Sequence, residues 1–173
     1  IFVLDRRNGK LIVPAPETKV PGGPAPGDYL APTQPFSDLS FRPRKRLTGA
    51  QMWGATTFDQ LLCRIQFHSL RYEGPFTPPT TGGTLVYPGD FGMFEWGGIG
   101  VDPHHQIAIA NPSSIPFVQH LVPRGPGNPS EPGSNLPAGS ETGIQPMFGT
   151  PYGVHLDFFR SPLGLPCLVP PRG

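Results

Sequence analysis

The sequence predicts an all-β fold with long irregular connections and one short helix. Three observations carry this. Glycine (23) and proline (26) together exceed a quarter of the 173 residues, so long regular elements are few. The chain nevertheless holds 12 Phe, 4 Tyr and 2 Trp, more aromatic surface than a disordered polar tract carries. Short β-branched runs stand between turn signals, most clearly Ile99-Gly100-Val101 and Ile107-Ala108-Ile109.

Taken in order, the chain opens on a hairpin over residues 1–13. Ile1–Leu4 and Lys10–Val13 are its strands, and Asn8-Gly9 supplies the positive φ its turn needs. Residues 14–83 read as a loop insertion with one helix near 57–72. Thr57 and Gln60 have capping-box spacing, and Gly74-Pro75 is a stop. Phe58, Leu61, Leu62, Ile65 and Ser69 share one helical face, which is the face expected to be buried. Residues 84–123 read as four strands: Thr84–Tyr87, Glu95–Val101, Gln106–Ala110 and Pro116–Val122. Asp102-Pro103-His104-His105 is the central turn. An antiparallel meander of this size matches one blade of a β-propeller, and the opening hairpin then belongs to the preceding blade. Residues 124–173 read as loop-rich, with scattered aromatics suited to covering another surface. A lone hairpin is marginal in water, and the chain shows no initiating Met, leader or membrane-spanning apolar run. The expectation is an internal segment of a larger protein: a partial β-propeller.

The net charge of +1 favours neither nucleic acid nor a membrane surface as a partner. The densest basic run, Arg42-Pro43-Arg44-Lys45-Arg46, reads as a solvated loop rather than a phosphate-binding patch. Cys63 and Cys167 are compatible with buried thiols or with one disulfide, and their spacing decides nothing. No zinc spacing, Ser/His/Asp arrangement or P-loop stands out. Gly97-Gly98-Ile99-Gly100 opens no helix, which argues against a dinucleotide site. His68 reads as a surface or boundary residue, and His104 and His105 as turn-tip residues. Three residues keep a functional reading. Trp96, with Glu95 beside it, either docks between blades or packs near a planar cofactor. Asn111 either ends a strand or offers its amide to a ligand.

Longer stretches carry a resemblance. Ile1–Gly9, Met52-Trp53-Gly54-Ala55-Thr56, Phe94–Ile99 with Val101-Asp102-Pro103, Ala108-Ile109-Ala110-Asn111-Pro112, Pro123–Pro129 and Gly164-Leu165-Pro166-Cys167 closely resemble the membrane-bound quinoprotein glucose dehydrogenases. The likeness covers essentially the whole chain. It implies an eight-bladed propeller holding pyrroloquinoline quinone (PQQ), assisted by Mg²⁺ or Ca²⁺. It implies oxidation of D-glucose to glucono-1,5-lactone, with electrons passed to ubiquinone at the periplasmic face of the bacterial inner membrane. Anchorage would come from a region outside these residues. The family's catalytic aspartate and quinone-binding lysine precede Ile1, so no catalytic residue and no metal ligand is assigned here, and Asp59, Asp90 and Asp102 do not replace them. Asn111 matches an asparagine that the family places close to the quinone; Glu95 and Trp96 are weaker cofactor-binding candidates. The alternatives are a sister enzyme acting on a cyclic polyol such as quinate, and a non-catalytic propeller or proline-rich interaction module.

Overall fold

A computed structural model of the chain describes residues 1–94, 98–125, 143–147 and 149–169. The element order is β1 (Glu17–Lys19), β2 (Thr33–Pro35), a 3₁₀ turn (Gly49–Gln51), α1 (Thr57–Ser69), β3 (Thr84–Val86), β4 (Ile99–Asp102), β5 (Ile107–Ala110), β6 (Phe117–Pro123), β7 (Gly143–Pro146) and β8 (Tyr152–Phe158).

The fold is antiparallel β with one helix, as the sequence predicts, but the four-stranded sheet is assembled from different strands. Its order is β3-β6-β8-β7, while β4 and β5 pair only with each other. The expected 84–123 meander is therefore not one sheet. Half of the sheet comes from the region read as loop. The reason lies in β8, where Tyr152, Val154, Leu156 and Phe158 alternate with Gly153, His155 and Asp157. This is a period-two strand signal within a Gly/Pro-rich surround. Seven cross-strand pairs, from Phe117↔Phe158 to Pro123↔Tyr152, join it to β6.

Alternation then sorts the faces. Val118 lies opposite Leu85 and joins the core with Cys63, Phe67, Met52, Leu47, Phe159 and Cys167. Phe117 points the other way and stacks on Phe158 at 4.6 Å and on Phe91 at 5.0 Å. Each such side chain, fully buried, contributes roughly 1.5–3 kcal/mol.

Helix α1 packs differently from its apolar pattern. It buries Asp59, Cys63 and Phe67, whereas Phe58, Leu61 and Ile65 are exposed. The stripe Phe58-Leu61-Leu62-Ile65 is thus not the inward face. Two anchors set the rotation. Cys63 is disulfide-bonded to Cys167 across 104 residues. Asp59 is buried and accepts the Ala55 amide at 3.1 Å, while Thr56 caps the Asp59 amide at 3.1 Å. The cap is Thr56 with Asp59, one residue before the expected Thr57–Gln60 pair; the Gln60 side-chain Nε2 instead donates to Met52 O at 2.9 Å. Gly54 makes this close entry possible, because a Cβ there would lie 2.1 Å from Gln60 N.

The opening hairpin is present as a tight turn with one bridge, Leu4↔Leu11, and Gly9 has φ +71°.

Candidate functional site

The site is built where β5 ends. Pro112 has no N–H to continue the ladder, so the chain leaves β5 at Asn111. The connection to β6 is then held on both sides. Ser113 N donates to Met93 O at 2.7 Å, and Gly89 N donates to Ile115 O at 2.8 Å. Beyond β8, Phe159 N donates to Pro116 O at 3.1 Å, and Cys167 N donates to Phe159 O at 3.2 Å. Cys167 is itself tied to α1 through its disulfide, and its carbonyl accepts from Trp53 N at 2.8 Å. The disulfide thereby fixes the segment that forms the far wall.

Between these walls lies a cleft of about 510 Å³, lined by Asn111, Ser114, Phe158, Phe159, Arg160 and Leu168 among others. Its walls are mostly apolar. Asn111 is exposed, Ser114 is buried, and Phe159 is nearly inaccessible. The Arg160 guanidinium lies 5.6 Å from the Phe158 ring centre and donates to Asp157 Oδ1 at 2.7 Å. A carboxamide on one wall, a half-exposed guanidinium on the other and aromatic surface between them suit a flat, mostly apolar ligand carrying a few acceptor or anionic substituents.

Of the residues singled out from sequence, Asn111 lines this cleft. Glu95 and Trp96 lie outside the described residues. His104 and His105 form an exposed turn away from it. Asp102 Oδ1 accepts both of their amides, at 3.0 and 3.1 Å, and Oδ2 pairs with His105 Nδ1 at 2.6 Å. These bonds, the His105 side chain first, hold the Asp102 carboxyl below the usual carboxylate range. Ser114, Phe158, Arg160 and Leu168 join Asn111 here without a sequence signal. They lie far from Asn111 in sequence, apart from Ser114, and no local motif marks them.

The cysteine question is decided by the fold: Cys63 and Cys167 form a disulfide with Cα atoms 5.3 Å apart.

Compared with known families, residues 1–173 match the model of the PQQ family described as glucose/ethanol/alcohol dehydrogenase, β-propeller domain. The chain belongs to that family. It is 66% identical over its whole length to a quinoprotein glucose dehydrogenase of Escherichia coli strain K12. It is 57% identical over its whole length to the enzyme of the same name in Gluconobacter oxydans strain 621H. A probable quinate dehydrogenase (quinone) of Xanthomonas campestris pv. juglandis is 39% identical, also over the whole chain. The chain spans 22% of the length of each of these relatives. No solved structure matches it.

The cleft fits the family's cofactor in chemical character. PQQ is a planar fused-ring quinone bearing carboxylates, and the cleft offers aromatic walls, the Asn111 amide and the Arg160 cation. The divalent ion finds no such match: among the described residues no three His, Cys, Asp or Glu side chains converge.

Proposed function

We propose that this chain forms part of a PQQ-dependent dehydrogenase that oxidises D-glucose at C1 to glucono-1,5-lactone. The observation that carries the reading is the gradient of identity along the full chain. Proteins named quinoprotein glucose dehydrogenase share 66%, 57% and 50%, whereas the quinate and quinate/shikimate enzymes share 39% and 38%. Bound PQQ supplies the two-electron acceptor for the hydride that leaves the sugar. In this chain, Asn111 offers one carboxamide to a polar edge of the cofactor, and Phe158, Phe159 and Leu168 exclude water from its face. The base that takes the hydroxyl proton and the lysine that pairs with the quinone come from outside these residues. The 173-residue segment alone is accordingly inactive. Mg²⁺ or Ca²⁺ assists from ligands that lie elsewhere.

Electrons pass on to ubiquinone, and the enzyme works at the periplasmic face of the inner membrane. The Cys63–Cys167 disulfide supports an oxidising compartment. Among the described residues no helix is long and apolar enough to cross a membrane, and attachment is assigned to another region. The test is an assay of the protein at its natural full length, reconstituted with PQQ, on D-glucose and on quinate. PQQ-dependent oxidation of glucose in preference to quinate is expected. Preference for quinate would move the chain to the sister activity, and no PQQ-dependent turnover would leave a binding module.

A further inference from the structure

The basic run that the sequence presents as a solvated loop folds into the wall of a hollow. Lys19, Arg42, Arg44, Lys45 and Arg46 line one pocket of about 280 Å³ next to Tyr72. Five of the 13 lysines and arginines thus meet at one place in a chain whose net charge is only +1, leaving the remainder net negative. The one carboxylate in the lining, Glu73, is already paired, with Arg71 at 2.6 Å. None of the five cations is ion-paired among the described residues. Crowding like charges without a counter-charge is unfavourable, and a bound anion relieves it.

Two of the cations are also positioned. Arg42 stacks over the Phe36 ring at 4.5 Å, and that ring packs edge-on against Phe76 at 5.5 Å. Arg46 Nε lies 3.0 Å from where a Gly74 Cβ would stand, so its stem is fitted against a residue with no side chain. Arg71 donates to Gly23 O at 2.8 Å and pins the chain that follows Lys19. Tyr72 and Tyr87 also line the pocket. Burial raises the Tyr72 phenol above its ordinary value, so it remains a neutral hydroxyl that can donate.

We propose that this pocket binds a phosphate-bearing anion. Forked guanidinium donors around a small hollow match the several acceptor oxygens and multiple charge of a phosphate group better than a single carboxylate. The group is supplied either by a free polyphosphate or by the headgroup of an anionic phospholipid, and the experiment separates the two. Protein of natural full length is titrated calorimetrically with inorganic pyrophosphate at low salt. In detergent solution, where its own membrane attachment is already satisfied, it is also titrated with water-soluble short-chain phosphatidylglycerol and with short-chain phosphatidylcholine. The variant combines Arg44→Gln, Lys45→Gln and Arg46→Gln, three exposed positions that leave the Arg42–Phe36 stack intact. Saturable pyrophosphate binding, weakened about tenfold or more in the variant, is expected, with an unchanged thermal midpoint and unchanged sugar oxidation. Binding of phosphatidylglycerol but not of phosphatidylcholine, lost in the variant, assigns the headgroup; pyrophosphate binding without it assigns the free anion. Absence of saturable binding to either, or binding that the variant leaves intact, overturns the proposal.

Discussion

His120 and His155 face each other across β6 and β8, with ring centres 6.5 Å apart. His120 packs against Gly83, where a Cβ would stand 2.5 Å from Nε2. Its pKa is lowered from the ordinary value of 6.5, first by burial and second by His155. The sign follows. Below 6.5 the unfolded chain takes up a proton that the folded chain resists, so this site stabilises the fold less as pH falls from 6.5 toward the folded value. An NMR titration of the imidazole should give a midpoint below 6.5, and His155→Ala should raise that midpoint without restoring the ordinary value, because burial remains. A midpoint at or above 6.5 would contradict the packing described for His120. At this scale the sequence was legible only in part. Asn111 is marked by its place between a strand and Pro112. The residues that complete its cleft, such as Arg160 and Leu168, are brought there by tertiary hydrogen bonds that leave no trace in local spacing.

Helix α1 shows why an element can be legible while its orientation is not. Its existence follows from the Thr56 cap and the helical run, and it ends at Ser69 because Arg71 is drawn into hydrogen bonds with Gly83 and Leu85. Its inward face follows from Cys63 and Asp59, and a disulfide across 104 residues has no periodic signature. The exposed Phe58, Leu61 and Ile65 are then a consequence of anchoring at the opposite face. The same bond holds the wall of the cleft. Replacing Cys63→Ser together with Cys167→Ser should destabilise this region by about 2–5 kcal/mol, chiefly by freeing a long loop in the unfolded chain. Hydrogen exchange at the core amides of Phe67, Leu85 and Val118 reads this directly. Loss of protection there is expected, and unchanged protection would show that packing alone holds α1 against β3 and β6.

On the scale of the molecule, composition and strand signals led to the right class, antiparallel β with one helix, and the wrong assembly of its sheet. Short strands separated by short links invite a consecutive meander. Here β4 and β5 stand apart as a ribbon with Val101, Ile107 and Ile109 exposed, and β8 takes the place beside β6. That exchange brings the end of β8 next to the chain leaving β5, and so creates the cleft at Asn111. The functional account rests on this juxtaposition together with the identity to quinoprotein glucose dehydrogenases. It is tested most directly by titrating PQQ into the cofactor-free protein of natural full length, wild type and Asn111→Ala. Because Asn111 is exposed, the substitution should leave the thermal midpoint unchanged while weakening PQQ binding about tenfold, as expected for one lost hydrogen bond to a charged or strongly polar group. Equal affinity in the two proteins would contradict the placement of the cofactor in this cleft.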